Sequence, residues 1–227
     1  EFTDPVSTFI ESDVFYQINP RLTSLSNNAI STLINKKVDD YFKITLGKFD
    51  QSFRRSNLLT LVDEVSPAVL SSRAIIRMQQ RMTAVINTKN TFTFTFPSDI
   101  SQPIISNTPT AEDYVVRSGL FSINGVTCQI INETYATGGV GFSSNKLQVI
   151  NAGSGVVVVD NIGNYDPNTR TVNIVSFTPT GLLGSGGFIK ISVLPANQSA
   201  VSPVRNYILE YDADESTITP VTVSADN

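Results

Sequence analysis

The chain has 227 residues, 41% of them hydrophobic, and a formal net charge of −4. This length suits one large domain or two small ones, and the apolar content is sufficient for a core. His and Trp are absent and Cys128 is the single cysteine, which excludes His-dependent nucleophile pairs, His-ligated zinc and an intrachain disulfide. The acidic balance argues against a nucleic-acid partner, and no apolar run reaches the roughly 20 residues that span a bilayer.

The first part of the chain predicts a β-α-α-β unit. Asp13–Asn19 alternates between apolar and polar residues, which indicates a strand. A helix should follow, with Ser24 or Ser26 as its N-cap. A second helix is predicted over Phe53–Val65, and Ala74–Met82 then alternates through a second strand. Two helices can cover one face of a sheet in such a unit.

From Thr88 onward the sequence changes to short alternating segments separated by turn-rich stretches. Such spacing is typical of an antiparallel β domain, and we expect Cys128 to be a buried small hydrophobe within it. The strand candidates are Thr91–Phe96, Tyr114–Arg117, Val126–Ile131, Lys146–Ile150, Val156–Asp160, Arg170–Phe177, Phe188–Leu194 and Val204–Tyr211. The net charge also changes, from +1 over residues 1–86 to −5 over the remainder.

The sequence therefore predicts an α+β fold class, in which the N-terminal β-α-α-β unit is followed by a mainly antiparallel β domain. The predicted parts are a small α+β domain at 1–86, a β-rich domain at 87–211 and an acidic tail or linker at 212–227.

No group of residues forms a convincing active site. Gly184–Gly187 and Thr137–Gly141 lack the Gly-Lys-Ser/Thr ending of a phosphate-binding loop, so both are interpreted as turns. Asp160 and Asp166 could act as paired carboxylates or hold calcium, but Asn164–Asn168 has the composition of a β-turn. We predict no catalytic residue, no metal and no cofactor.

A protein-docking surface is predicted on the helical unit. Phe49 and Phe53 flank the start of the second predicted helix. Arg54 and Arg55 lie beside them, and Leu59 falls off the main apolar stripe of that helix. Arg and aromatic residues are enriched at the centres of protein interfaces. One alternative is that both Phe side chains fill the local core. Another concerns the basic cluster, which could be a solvated, salt-bridged helix surface; its residues are Lys36, Lys37, Lys43, Lys48, Arg54 and Arg55.

Several packing and turn motifs resemble one known family. They are Leu46-Gly-Lys-Phe49, Phe53-Arg-Arg-Ser56, Leu58-Leu-Thr-Leu-Val-Asp63, Pro67-Ala-Val-Leu-Ser-Ser72, Asn164-Tyr-Asp-Pro-Asn-Thr-Arg-Thr-Val-Asn-Ile174 and Ser202-Pro-Val-Arg-Asn-Tyr-Ile-Leu209. Together they resemble the C-terminal part of the baseplate wedge subunit of T-even-type contractile-tailed bacteriophages. This is the gene product six family, a distant relative of the baseplate J family.

The resemblance implies a structural, non-enzymatic role in the tail baseplate of a virion. Subunits would form homodimers, link wedges into a ring around the hub and bind other wedge and hub proteins, with no nucleic acid and no membrane. The chain begins at Glu1 rather than Met, and we expect it to be a C-terminal fragment of a protein made in bacterial host cytoplasm. The alternative is a β-rich receptor- or carbohydrate-binding module of a fibre or adhesin, with Tyr135 or Tyr165 as its aromatic platform.

Overall fold

A computed structural model describes residues 6–134, 145–184, 186–204 and 206–222. The chain divides into two compact units: unit 1 comprises Glu1–Arg77 and Asn197–Asn227, and unit 2 comprises Met78–Ala196. The helices are α1 (Asn27–Thr45) and α2 (Arg55–Asp63). The strands are β1 (Val6–Ile18), β2 (Phe53–Arg54), β3 (Val69–Met82), β4 (Asn90–Thr95), β5 (Val116–Ser118), β6 (Phe121–Ile123), β7 (Val126–Asn132), β8 (Lys146–Asn151), β9 (Val157–Asp166), β10 (Thr171–Phe177), β11 (Gly181–Leu182), β12 (Ile189–Val193), β13 (Ala200–Val201), β14 (Tyr207–Tyr211) and β15 (Thr217–Thr222).

The predicted α+β fold class is wrong, because the described part of the chain is mostly β, with 45% strand and 15% helix. It also contains parallel as well as antiparallel strand pairs. The parallel pairs join β14 and β15 to β1, at the opposite end of the sequence. Parallel pairing requires a long connection between the strands, so local periodicity could not reveal that the last segments add strands to the first unit.

Strand β1 organises unit 1. Val6–Ile10 pairs with Tyr207–Tyr211 of β14, and Asp13–Ile18 pairs with Thr217–Thr222 of β15. A single long strand therefore pairs with two short C-terminal strands along successive stretches of its length.

Neither helix in the described part of the chain has the length and apolar character that a membrane span requires.

Helix α1 confirms Ser26, one of the two residues predicted as the N-cap of the first helix. The Ser26 hydroxyl accepts a hydrogen bond from the N–H of Ala29 at 3.2 Å, which satisfies one amide of the first turn. The helix ends at Thr45, and Gly47 follows with φ +82°. Its buried face consists of Ile30, Ile34, Val38 and Phe42. This spacing of three to four residues places one apolar stripe against the core.

Helix α2 is shorter than the predicted second helix. Phe53–Arg54 forms strand β2 and pairs with Ala200–Val201 of β13. The helix then begins at Arg55 and buries Leu58 and Val62. Pairing with a strand far along the chain overrides helical spacing at its predicted start.

Unit 2 is an antiparallel sheet that begins with the last residues of β3. The strand order is β3, β12, β5, β7, β8, β9, β10, β4, and β6 pairs with β7 and β11. Alternate residues of these strands form the core, including Phe121, Ile130, Tyr165 and Phe177. Cys128 is buried, as expected from its alternating sequence.

The predicted domains at 1–86, 87–211 and 212–227 stay a prediction, because compactness does not measure independent folding. The structure adds two facts about the C-terminal segments. Tyr207–Tyr211, within the predicted β-rich domain, pairs with β1 of unit 1. Thr217–Thr222, within the predicted tail or linker, also pairs with β1.

Candidate assembly surface

Unit 1 carries a shallow surface cleft that contains exposed apolar side chains. Its lining residues are Phe49, Asp50, Pro203, Val204, Asn206 and Tyr207, and we call this set the Phe49 cleft. The Phe49 side chain is 56% exposed and Val204 is 46% exposed. A large aromatic residue beside an exposed Val and a Tyr is a composition that protein interfaces favour.

Two loops form the cleft, and backbone contacts hold them side by side. After α1 ends, the N–H of Gly47 donates to the C=O of Leu209 at 2.8 Å. Asp50 and Asn206 each adopt φ of about +61°, a left-handed conformation that Asp and Asn tolerate better than most residues. These two residues change the direction of the chain within the two loops that line the cleft.

The β2–β13 pair closes the base of the same two loops. Arg54 lies opposite Ala200 and Phe53 lies opposite Val201. Next to this pair, the hydroxyls of Ser52 and Ser202 lie 3.1 Å apart. Cross-strand pairs of this kind stabilise a short ribbon, so the cleft is built on backbone pairing rather than on a free loop.

The five residues that the sequence predicts as an interface differ in their exposure to solvent. Phe49 and Arg54 are exposed, whereas Arg55 and Leu59 are half-buried. Phe53 is fully buried, and its ring centroid lies 4.9 Å from that of Phe42. Phe53 therefore belongs to the core of unit 1 and is not accessible to a partner, because β2 directs its side chain inward.

Arg55 uses its polar groups inside unit 1. Its backbone N–H donates to the C=O of Ser199 at 3.0 Å, and its guanidinium lies 3.5 Å from the C=O of Ala74. Phe49 and Arg54 are the predicted residues whose side chains are most open to a partner, and the role of the whole set stays a prediction.

Residues 7–81 match the family model described as baseplate structural protein gp6, C-terminal domain III. The chain carries a gp6-like baseplate domain. The match confirms the resemblance seen in the sequence and gives the chain a structural role in a phage baseplate, which is part of the virion tail. Such a role implies contacts with other baseplate proteins. No curated protein matches the chain.

The gp6-like domain comprises nearly all of β1–β3 with both helices, so it supplies Phe49, Arg54, Arg55 and Leu59. The remaining cleft residues come from the C-terminal part of unit 1, outside the matched segment, and are Pro203, Val204, Asn206 and Tyr207. Sequence analysis missed these residues because long-range contacts bring them beside Phe49, namely the β2–β13 pairing and the bond from Gly47 to Leu209.

Three lysines of the gp6-like domain form a salt-bridged helix surface. Lys36 bonds to Asp40 and Lys43 bonds to Asp39 along α1, and Lys37 lies 3.2 Å from Glu64. The hydrogen bond that Lys43 donates to Asp39 raises the pKa of Lys43. Exposed pairs of this spacing contribute little to stability. The alternative interpretation of the basic cluster thus holds for these lysines, whereas Arg54 lies on a different element.

The carboxylates of unit 2 are engaged within their own turns and strands. Asp160 accepts hydrogen bonds from Lys146 and Gln148, each at 3.0 Å, and the bond from Lys146 lowers the pKa of Asp160. Asp166 accepts the backbone N–H of Asn168 at 2.9 Å, the turn that its sequence predicts. Among the described residues, no cluster of three potential metal ligands occurs.

The two tyrosines proposed for glycan binding offer no platform in the described structure. Tyr165 is fully buried, and burial raises its pKa above the ordinary value. Tyr135 lies outside the described residues, as do Thr137–Gly141 and one residue of Gly184–Gly187. The carbohydrate-binding alternative therefore lacks a specific observation in its favour.

Proposed function

We propose that this protein is a structural subunit of a phage baseplate wedge, which pairs with a second copy and links neighbouring wedges into a ring around the hub. The observation that carries the proposal is the exposure of Phe49 on a gp6-like domain. Phe contributes a large hydrophobic area when it is buried. A partner that covers the Phe49 cleft would remove this area from water.

The chemistry around Phe49 supports a protein partner. Pro203, Val204 and Tyr207 extend the apolar surface, and Arg54 is exposed on the neighbouring strand β2. Residues such as Phe, Tyr and Arg concentrate binding energy when they lie at the centre of an interface. Because backbone pairing already holds the two loops at the base of the cleft, binding would cost less conformational entropy.

Ring assembly also sets requirements for the rest of the chain. A subunit that both pairs and links needs more than one contact surface, and other wedge and hub proteins would occupy further surfaces. In this proposal the protein performs no catalysis, requires no cofactor and binds neither nucleic acid nor membrane. It is made in the host cytoplasm and assembled into the tail.

Sedimentation velocity over a range of protein concentrations tests the pairing surface. Phe49→Ser should shift the chain toward monomer with unchanged far-UV circular dichroism. Leu70→Ser is the matched control, because Leu70 is 55% exposed in the same domain and does not line the cleft. Equal association of wild type and Phe49→Ser, or equal weakening by both variants, would contradict a role for the cleft.

A charge reversal gives a second test of the same surface. Arg54→Glu should weaken association if a partner contacts β2, since it reverses the charge of an exposed side chain on that strand. Arg21→Glu provides the control, because Arg21 is exposed in the turn Pro20–Leu22 of the same unit. Identical association constants for these two variants would place the contact away from Arg54.

A further inference from the structure

Strands β6 and β7 of unit 2 are joined by a two-residue turn, Asn124-Gly125, a dipeptide that occurs once in the chain. Ile123 lies opposite Val126 at the base of this turn. The φ angles of Asn124 and Gly125 are +50° and +79°. A two-residue hairpin with positive φ at both central residues is a type I′ turn, for which Asn-Gly is a preferred sequence.

The same dipeptide carries a chemical reactivity of its own. The backbone nitrogen of Gly125 can attack Cγ of the Asn124 side chain, and Gly hinders this attack least because it has no Cβ. The attacking nitrogen loses its proton to solvent, and the side-chain nitrogen leaves as ammonia. Water then opens the resulting five-membered succinimide at either carbonyl, which gives an aspartyl or an isoaspartyl residue at position 124.

Solvent reaches both residues of the turn. Asn124 and Gly125 are exposed, and a Cβ added at Gly125 would meet no atom within 4 Å. Neither burial nor crowding by neighbouring side chains therefore hinders the reaction. The backbone conformation of the turn is the factor that controls it.

The type I′ conformation separates the two reacting atoms. This turn is the mirror image of type I, so ψ at its first central residue is about +30°. At that ψ, the nitrogen of Gly125 lies nearly opposite the Cβ of Asn124 across the Cα–C bond. Closure of a five-membered ring requires the nitrogen and the side chain to lie on the same side. The turn must therefore open before Asn124 can react.

A distant segment of unit 2 holds this turn closed. The N–H of Asn124 donates to Thr180 Oγ1 at 2.9 Å, and the Thr180 hydroxyl donates to the C=O of Ser122 at 3.2 Å. The backbone N–H of Thr180 donates to the same C=O at 2.8 Å. Thr180 thus fixes one side of the turn, and the pairing of Ile123 with Val126 fixes the other.

We propose that Asn124 is a deamidation site that the folded hairpin keeps unreactive, and that Thr180 determines how often the turn opens. The reaction proceeds through local opening, in which a few contacts break while the rest of the unit stays folded. An isoaspartyl product adds a methylene group to the main chain of a two-residue turn, whose length fixes the register of β6 and β7. The modification therefore prevents the original hairpin from closing again.

Peptide mapping of the full wild-type chain tests the protection. The chain is incubated at mildly alkaline pH, either folded in sodium chloride or unfolded in guanidinium chloride of the same concentration. Mass spectrometry then measures the converted fraction of the peptide that contains Asn124. The folded chain should react at least about tenfold more slowly than the unfolded chain. Equal rates in the two states would overturn the proposal.

Thr180→Val tests the role of the hydroxyl that accepts the Asn124 N–H. The folded variant should deamidate about fivefold faster than wild type, because one hydrogen bond fewer holds the turn closed. Thr180→Ser retains a hydroxyl and should react at the wild-type rate. In guanidinium chloride, Thr180→Val should also match wild type, since the contact exists only in the folded chain.

Thr178→Val is the matched control. Thr178 is half-buried like Thr180, but its hydroxyl bonds to the C=O of Ser176 in its own segment. Equal rates for folded Thr178→Val and Thr180→Val would contradict the role of Thr180. The comparison of folded and unfolded wild type involves no substitution, so it decides the proposal even where Thr180→Val fails to fold.

Discussion

The ring of Phe53 lies 4.9 Å from the ring of Phe42, with the two planes inclined by 31°. Phe42 also stacks on Tyr211 at 4.9 Å. These contacts join β2, α1 and β14 through one aromatic cluster in unit 1. Phe49, only four residues before Phe53, is exposed instead. Two phenylalanines that appear equivalent in sequence therefore have different physical roles.

The first prediction separates these roles. Phe53→Ala should lower the free energy of unfolding by roughly 3–5 kcal/mol, because it removes a buried ring and leaves a cavity. Phe49→Ala should change it by at most about 0.5 kcal/mol, since its side chain is largely in water. Urea denaturation of both variants measures the difference. Similar losses in the two variants would contradict the assignment of Phe53 to the core.

The second prediction concerns Gly163 in β9. A Cβ at this position would lie 2.0 Å from the C=O of Asn173, and the residue has φ +144°. Gly163→Ala should therefore destabilise unit 2 by at least roughly 2 kcal/mol, because the backbone must move to relieve the clash. Gly155→Ala is the control, because Gly155 also has a positive φ but an added Cβ would meet no atom within 4 Å. This substitution should lower the free energy of unfolding by about 1 kcal/mol. If thermal unfolding shows that Gly163→Ala destabilises the protein less than Gly155→Ala, the predicted clash at Gly163 is wrong.

The third prediction concerns the buried hydroxyl of Tyr165. This hydroxyl has no hydrogen-bond partner within the described part of the chain. Tyr165→Phe should leave the free energy of unfolding unchanged or raise it by up to about 1 kcal/mol, because no bond is lost and a desolvated polar group is removed.

Tyr16→Phe is the control for this substitution. The Tyr16 hydroxyl lies 3.1 Å from the C=O of Asn27 and 3.0 Å from the Ser31 hydroxyl, so its removal should cost about 1 kcal/mol. The prediction is contradicted if urea denaturation shows a larger loss of unfolding free energy for Tyr165→Phe than for Tyr16→Phe.

The fourth prediction concerns the ion pair of Lys146 and Glu133. Lys146 Nζ lies 2.7 Å from Glu133 Oε1, and the Glu133 side chain is only 1% exposed. Lys146→Met should cost roughly 3 kcal/mol at neutral pH, because it removes the cation that pairs with a buried carboxylate. Lys36→Met is the control, since Lys36 and its partner Asp40 are both exposed and their pair contributes at most about 1 kcal/mol.

The pH dependence of this pair has a definite sign. The hydrogen bond to Glu133 raises the pKa of Lys146 above its ordinary value of 10.5. The stabilisation is therefore complete below pH 10.5 and is lost as the pH rises through the folded-state value. The difference in stability between wild type and Lys146→Met should shrink above pH 10.5 in alkaline urea titrations. A difference that stays constant there would mean that the lysine charge is not its source.

Local signals in the sequence predicted local structure well. Ser26 caps α1 because its hydroxyl reaches an amide only three residues away, and Ile30, Ile34, Val38 and Phe42 form its buried face because helical spacing repeats within the segment itself. Cys128 is buried for the same kind of reason, since period-two alternation determines which side of a strand faces the core.

Long-range pairing explains what the sequence did not reveal. Phe53 lies in a segment with helical spacing, but it pairs with Val201 on a distant strand. The Phe49 cleft likewise combines one loop of the gp6-like domain with Pro203 and Val204. The fold class was wrong because β14 and β15 add parallel strands to β1 from the other end of the chain. Alternation within a segment can predict a strand, but it does not show which distant strand is its partner.

The parallel pairing of β14 and β15 with β1 also bears on synthesis. A ribosome makes Val6–Ile18 first, but its strand partners Tyr207–Tyr211 and Thr217–Thr222 emerge only after all of unit 2. Contacts between such distant segments form slowly, because a long chain must close before they are gained. The strand pairing of unit 1 is therefore complete only after translation has passed Thr222.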